Sequence, residues 1–203
     1  MRLERSGMPP NQRLQPTARV GDLVRSLTPQ LAIVAYPTFS ETDRATIKAV
    51  RSRHDPQFAM VDPHFTLLFP VEAPLADVMN EAHSAVSATP AFSVTLNSVR
   101  AVRDAFGSGG HVFLVPEQGA NEITALNSRL YGGMLKWARR EDIPYVPHIT
   151  VAACTDFSEC EALAATLAGD QRDICGSVGT LTVVEVVGAR VAILANLPLA
   201  GGG

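Results

Sequence analysis

From residue 31 onward, apolar and polar positions follow two periods, one typical of strands and one typical of helices. Short apolar or alternating runs predict strands, whereas a capping residue followed by acidic residues and apolar positions at helical spacing predicts a helix. The predicted strands are 31–37, 61–70, 91–102, 111–116, 147–153, 181–187 and 190–197, and the predicted helices are 40–55, 74–88, 120–140 and 157–168. Strands and helices therefore alternate along the chain.

The order of these elements repeats. Residues 31–102 run strand, helix, strand, helix, strand, and the same order begins again after the stretch GSGG at 107–110. This repetition predicts a duplicated unit, closed at its end by a hairpin. We expect one domain over 29–198, a flexible N-terminal arm over 1–28 and a glycine-rich tail over 199–203.

Composition and charge limit the classes of function. Apolar residues make up 46% of the chain and charged residues 18%, which is typical of a globular protein. The net charge of −3, from 17 Lys+Arg against 20 Asp+Glu, argues against an extended nucleic-acid surface, because that mode of binding needs clustered basic residues. A nucleotide or an RNA end remains a possible partner, and the oligomeric state stays open.

The sequence also indicates a compartment. Its longest apolar runs are too short for a membrane-spanning helix, and charged and proline residues interrupt any signal-peptide core near the N-terminus. The three cysteines, Cys154, Cys160 and Cys175, form neither a CxxC pair nor an even disulfide framework. We therefore expect reduced thiols in a cytoplasmic protein that does not contact a membrane.

Two short motifs carry the candidate chemistry. The first reads PHFTL at 63–67 and the second PHITV at 147–151, and they occupy equivalent places in the two half-patterns. Because side chains alternate faces along a strand, His64 and Thr66 project together, as do His148 and Thr150, while the intervening apolar residues face a core. Each strand would present an imidazole and a hydroxyl about 7 Å apart at the backbone.

Two such strands facing a cleft suit a phosphodiester. Its hydrolysis needs a base for water, an acid for the leaving alkoxide and donors for the nonbridging oxygens. With an ordinary pKa near 6.5, one histidine can be neutral while its partner is protonated, and the two threonines supply donors, so no metal or cofactor is required. A single His-x-Thr in a strand would more simply be a structural histidine, but two equivalent copies favour function.

Other residues near the motifs are candidate contributors. Asp62 precedes the first motif and could orient His64, although a turn aspartate before proline fits as well. Tyr145 precedes the second motif and could stack on a base of the substrate, although ordinary packing is the simpler interpretation. His111 follows GSGG and could stand near the mouth of the cleft, but because no threonine follows it at i+2 we expect an exposed residue at the start of a strand. Zinc binding is not expected, because HExxH, a close His-x-His and a cysteine pair are all absent from the sequence.

The paired motifs PHFTLLFP and PHITVAA resemble the His-x-Thr signatures of the two-histidine (2H) phosphoesterases, in particular the bacterial group of 2′-5′ RNA ligases with cyclic phosphodiesterase activity. The resemblance covers about residues 31–197. It implies an α+β, two-lobed, pseudo-symmetric fold of antiparallel sheets flanked by helices, with a central cleft. It also implies that His64 and His148 are the acid–base pair and that Thr66 and Thr150 donate to the phosphate.

The chain also departs from that group. Val146 and Ala153 stand where relatives often have basic residues, and Pro70 replaces a frequent glycine. These departures mildly favour a small cyclic phosphate over a long RNA. We expect a cyclic phosphodiesterase, able in reverse to act as a 2′-5′ RNA ligase. The alternative is a non-catalytic module that binds an RNA end or nucleotide in the same cleft.

Overall fold

The computed structural model describes residues 28–105, 107–169 and 172–201, so the predicted arm lies outside it apart from Thr28. The helices are α1 (Glu41–His54), α2 (Leu75–Ser87), α3 (Ala120–Leu130) and α4 (Phe157–Gly169). The strands are β1 (Gln30–Ala35), β2 (Thr38–Phe39), β3 (Phe65–Val71), β4 (Phe92–Arg103), β5 (Gly110–Gln118), β6 (Ile149–Cys154), β7 (Ile174–Val178), β8 (Thr180–Val187) and β9 (Arg190–Pro198).

The described strands form two antiparallel sheets. The first has the order β3-β1-β8-β9 and the second β2-β7-β4-β5-β6. The C-terminal hairpin β8–β9 therefore completes the sheet of the first half, and each motif strand, β3 or β6, lies at the edge of its own sheet. This arrangement confirms the predicted α+β fold with two lobes of antiparallel sheet and flanking helices.

The first helix of each half packs beside the motif strand of the other half. Helix α1 packs against β6, and α3 packs against β3. Helix α1 begins where the Ser40 hydroxyl accepts a hydrogen bond from the backbone N–H of Asp43 at 3.1 Å, and it buries Ile47 completely. In α3, the fully buried Ile123 and Leu126 face the core. This exchange of helices joins the two halves into one core.

The prediction of one long helix over 120–140 is wrong, because α3 ends at Leu130. Gly132 and Gly133 follow, and glycine is a poor helix former. The Glu81 carboxylate accepts a hydrogen bond from the backbone N–H of Met134 at 2.6 Å and leaves no room for a side chain at position 133. The rest of the predicted helix is an irregular segment with one 3-10 turn at Lys136–Ala138.

The short strands β2 and β7 were not predicted from the sequence, and they pair with each other. Strand β7 carries Gly176 at its centre, which weakens the apolar pattern that marks a strand. A Cβ at position 176 would lie 2.6 Å from the ring of Phe39, so the glycine allows the two strands to approach closely. The steric requirement that explains this residue becomes visible only once the pairing is known.

The cysteine prediction is wrong for two of the three residues. Cys154, at the end of β6, and Cys160, in α4, form a disulfide with their Cα atoms 5.8 Å apart. The turn that joins β6 to α4 places the fully buried Cys160 against the strand that it follows. Cys175 is a free, exposed thiol. A cytoplasmic location stays a prediction.

The described chain continues past residue 198, and the predicted tail begins at residue 199. Leu199 is buried, and the backbone N–H of Ala200 donates to the carbonyl oxygen of Thr89 at 2.9 Å. Residues 202 and 203 lie outside the described chain. None of the helices in the described ranges is long and apolar enough to span a membrane.

Candidate active site

The two motif histidines immediately precede β3 and β6. Both imidazoles are half-buried, whereas the residues that follow them, Phe65 and Ile149, are completely buried. The predicted alternation of faces at the start of each motif strand is therefore present. Each strand turns its apolar residue into the core and leaves the histidine on the opposite face.

Both imidazoles are oriented by the same kind of hydrogen bond. His64 donates from Nδ1 to the main-chain oxygen of Asp62 at 2.8 Å, and His148 donates from Nδ1 to that of Val146 at 2.6 Å. A carbonyl oxygen only accepts, so Nδ1 carries the proton and Nε2 is the free nitrogen of the neutral ring. The proline before each histidine restricts the backbone in the same way in both motifs.

Asp62 thus orients His64 through its backbone and not through its carboxylate, the group considered from the sequence. The Asp62 carboxylate lies 3.7 Å from the Lys48 ammonium, and both groups are exposed. The main-chain oxygen of Val146 orients His148 in the same way. The side chain two residues before each histidine is therefore not what fixes the imidazole.

Each motif strand contains a β-bulge directly after its threonine. In β3 the pairing with β1 passes from Thr66 to Leu68 and skips Leu67, and in β6 the pairing with β5 skips Val151 after Thr150. A bulge re-aims the side chains beside it. The two motifs therefore share a strand irregularity as well as a sequence, which supports the predicted duplication.

The bulge in β3 also explains why one predicted core residue is exposed. Regular alternation along the strand from Phe65 and Leu67 would place Phe69 in the core as well. It is 48% exposed, whereas Leu68 is completely buried. The extra residue shifts the alternation by one position, so Leu68 takes the core place that a regular strand would give to Phe69.

The hydroxyls of Thr66 and Thr150 are the candidate phosphate donors. Both side chains are half-buried. Neither hydroxyl forms a hydrogen bond with another residue of the described ranges, whereas Thr182, in the same sheet as Thr66, donates to Asn196. Both motif hydroxyls are therefore available to a ligand.

Burial lowers the pKa of both motif histidines. The pKa of His148 falls to about 4, mainly because the ring is removed from water, and the positive charges of His64 and His111 lower it further. Burial also lowers the pKa of His64, and the charge of Arg51 adds to that effect. The influence of one motif histidine on the other indicates that the two imidazoles share one local environment.

Aromatic rings support the two imidazoles in different ways. The ring of Phe113, in β5, stacks on His148 with a centroid separation of 3.6 Å, and the ring of His111 stacks on Phe113 at 5.9 Å. Tyr36 meets His64 edge-on at 5.9 Å. His111 is half-buried, and its Nδ1 has no hydrogen-bond partner among the described residues, so the expectation of an exposed strand-start residue is wrong.

Strand β3 is held by side chains from the second half of the chain. The Tyr145 hydroxyl donates to the main-chain oxygen of Thr66 at 2.9 Å, and Asn127 donates to that of Leu67 at 2.9 Å. Farther along the strand, the Tyr131 hydroxyl accepts a hydrogen bond from the backbone N–H of Phe69 at 3.1 Å. The first motif is thereby fixed to the segment that leads into the second.

From the sequence, Tyr145 was a candidate to stack on a substrate base, with ordinary packing as the alternative. Its ring packs against the core. Burial raises the pKa of its hydroxyl, so the hydroxyl stays protonated at neutral pH and donates a hydrogen bond to the main-chain oxygen of Thr66. The base contact stays a prediction. The bond to Thr66 could not be inferred from the sequence, because the two residues are 79 positions apart.

A buried ion pair supports the segment before His64. Arg51 and Asp55 are both buried, and Nε of the arginine lies 2.7 Å from a carboxylate oxygen of the aspartate. The same guanidinium donates to the main-chain oxygen of Val61 at 2.8 Å. Because the pair is buried and the guanidinium also binds the backbone, it fixes the chain as it enters the first motif.

Two histidines in one site raise the question of metal ligation. In residues 28–105, 107–169 and 172–201, no group of three or more His, Cys, Asp or Glu side chains lies close enough together to hold a metal ion. The remaining histidines, His54 and His83, lie on exposed helix surfaces.

Comparisons with known proteins identify the family. The model of the 2′-5′ RNA ligase superfamily matches residues 39–190. A Bacillus cereus (strain B4264) protein named "Putative phosphoesterase" is 30% identical over 125 residues, covering 60% of this chain and 68% of that protein. The Escherichia coli LigT structure complexed with 3′-AMP matches with a TM-score of 0.58 at 20% identity, covering 85% of this chain and 99% of LigT.

A second solved structure agrees in fold. TT0787 of Thermus thermophilus matches with a TM-score of 0.56 at 18% identity, covering 86% of this chain and 100% of TT0787. The family model spans both His-x-Thr motifs and both motif strands, β3 and β6. The chain therefore belongs to the 2′-5′ RNA ligase superfamily, the 2H phosphoesterases that its paired motifs resemble.

Proposed function

We propose that this protein hydrolyses 2′,3′-cyclic phosphates of nucleotides or RNA ends, with His64 and His148 as the acid–base pair. Thr66 and Thr150 donate hydrogen bonds to the nonbridging oxygens of the phosphate. The observation that supports this proposal most strongly is the repeated geometry of the two motifs. Each imidazole has Nδ1 bound to a main-chain oxygen and Nε2 free, and each threonine hydroxyl is available on the same strand.

In the proposed reaction, the neutral imidazole takes a proton from water at Nε2 while the water oxygen attacks phosphorus. The bond from phosphorus to one ribose oxygen breaks, and the protonated imidazole gives its Nε2 proton to that leaving oxygen. The products are a phosphomonoester and a free ribose hydroxyl. After the reaction the base is protonated and the acid is neutral. Exchange of protons with solvent restores the starting protonation state of both rings.

The substrate assists the protonation that this reaction needs. Burial lowers the pKa of both imidazoles in the free protein. An anionic phosphate bound between the rings favours the charged form of one of them and offsets part of that effect. The threonine donors offset the negative charge that the nonbridging oxygens gain in the transition state.

The same groups can join RNA ends. If a ribose 5′-hydroxyl replaces water, the base takes its proton and the acid protonates the leaving 3′ oxygen, which gives a 2′-5′ linkage. Hydrolysis and ligation then differ only in the attacking hydroxyl. LigT has been solved with 3′-AMP bound, and a nucleotide ligand of this kind is consistent with the proposed site.

The test is turnover of 2′,3′-cyclic nucleotides by purified protein in excess EDTA. We expect turnover in the wild type, a loss of about 10²- to 10⁴-fold in His64→Ala and in His148→Ala, and no change in His83→Ala, whose side chain is exposed on α2. Binding of the nucleotide without product at any pH would instead favour a non-catalytic binding module. Complete inhibition by EDTA would point to a metal-dependent reaction.

A further inference from the structure

The register of the second sheet places one arginine on the same face as the second motif. Thr150 of β6 pairs with Phe113 of β5, and Phe113 pairs with Arg100 of β4. Paired residues of neighbouring strands project from the same side of a sheet. The stacking of Phe113 on His148 identifies that side as the one that carries the motif. Thr150, Phe113 and Arg100 therefore form a row across three strands.

Arg100 is free to bind a ligand. Its side chain is exposed, and in the described chain it forms no ion pair or hydrogen bond. Arg103, on the same strand, lies on the opposite face, with its guanidinium 4.0 Å from the centre of the Phe157 ring. The residues that flank Arg100 on its own face, Ser98 and Val102, carry no charge. Arg100 is thus a permanent positive charge whose two neighbours on its own strand face are uncharged.

The distance from the motif indicates what this charge can bind. Neighbouring strands are about 4.8 Å apart, so the backbone of Arg100 lies roughly 10 Å from that of Thr150, with the Phe113 ring between them. Arg100 is therefore set apart from the place where Thr150 and His148 would hold the cyclic phosphate. A second phosphate of the same substrate would lie within reach, and a guanidinium binds phosphate through two parallel hydrogen bonds.

We propose that Arg100 forms a second phosphate subsite, so that the preferred substrate is an RNA end with a phosphodiester next to its cyclic phosphate. This inference rests on the proposed function of the two motifs and specifies its substrate class. It also changes the expectation from the sequence, which mildly favoured a small cyclic phosphate. A free cyclic mononucleotide lacks the second phosphate and cannot use the subsite.

The test compares kcat/KM for a trinucleotide ending in a 2′,3′-cyclic phosphate with kcat/KM for the cyclic mononucleotide. We expect the wild type to prefer the trinucleotide, and the preference to fall roughly tenfold or more in Arg100→Gln, mainly through KM. Arg103→Gln is the matched control, because it removes the same charge from the other face of β4. Its preference should equal that of the wild type.

The salt dependence of the substrate preference provides one further measurement. Raising the salt concentration should weaken the preference of the wild type but not that of Arg100→Gln, because salt screens the exposed charge. If the wild type hydrolyses both substrates without preference, or if Arg100→Gln keeps the full preference, the subsite is wrong while the proposed function stands. If neither substrate is hydrolysed, both proposals are wrong.

Discussion

Replacement of Tyr145 by phenylalanine tests whether the two motifs are mechanically linked. The substitution keeps the ring in place and removes only the hydroxyl that donates to the main-chain oxygen of Thr66 at 2.9 Å. Tyr145 lies three residues before His148 in the chain, so this bond connects the first motif to the entry of the second. Loss of the bond should let the two motif strands shift relative to each other.

The structure sets the size of the expected effect. A typical hydrogen bond contributes about 0.5–1.5 kcal/mol, and leaving a buried acceptor without a partner costs about 1–3 kcal/mol, so we expect a loss of unfolding free energy of about 1–2 kcal/mol. Catalysis depends more steeply on position, since a displacement of about 1 Å can cost 10²-fold in rate. We expect kcat to fall roughly tenfold in Tyr145→Phe, with little change in KM.

Tyr131→Phe is the matched control. It removes a hydroxyl that also binds the backbone of β3, but at Phe69, beyond the bulge and away from Thr66. Both variants should lose similar stability in urea denaturation, while only Tyr145→Phe should lose kcat. Equal kcat losses in the two variants, or full activity in Tyr145→Phe, would refute the link. A rise in KM without loss of kcat in Tyr145→Ala, but not in Tyr145→Phe, would favour base stacking instead.

Three further predictions concern pH, stability and thiols. Burial lowers the pKa of both motif histidines, and it lowers that of His148 to about 4, so the pH profile of kcat/KM should reach its maximum below pH 6.5. Activity is lost at low pH because the base becomes protonated, and at higher pH because the acid loses its proton. A maximum above pH 7 would contradict the burial of the site. Arg51→Met should lower the unfolding free energy by about 3–5 kcal/mol in urea denaturation, because it leaves the buried Asp55 carboxylate without its ion-pair partner. A loss below about 1 kcal/mol would mean that the pair is not buried. Unreduced, denatured protein should titrate with one thiol, that of Cys175, and three titrating thiols would exclude the disulfide.

Much of the motif geometry could be predicted because it depends on local rules. The alternation of side chains along a strand placed His64 and Thr66 on one face and Phe65 on the other, and the same alternation is present at the second motif. The rule failed only after the threonine, where a bulge turns Leu68 inward and leaves Phe69 exposed. A bulge depends on the partner strand, which a local pattern does not contain.

The rest of the candidate site depends on contacts between distant parts of the chain. Phe113, Tyr145 and Arg51 are ordinary residues in their own segments, and their roles follow from strand register and from helices exchanged between the halves. The helix predicted over 120–140 ends early for a similar reason, because Glu81 binds the backbone just after Gly133. Such features follow from tertiary packing, which overrides local propensity.

The most direct test of the paired acid–base mechanism is a double-mutant cycle on the two motif histidines. It measures kcat/KM for 2′,3′-cyclic nucleotide hydrolysis in His64→Ala, His148→Ala and the double variant. If the imidazoles act as one unit, each single variant loses about 10²- to 10⁴-fold, and the double variant loses little more than either single one. Losses that multiply in the double variant would show that the two histidines act independently, and a single variant that retains full activity would contradict the mechanism.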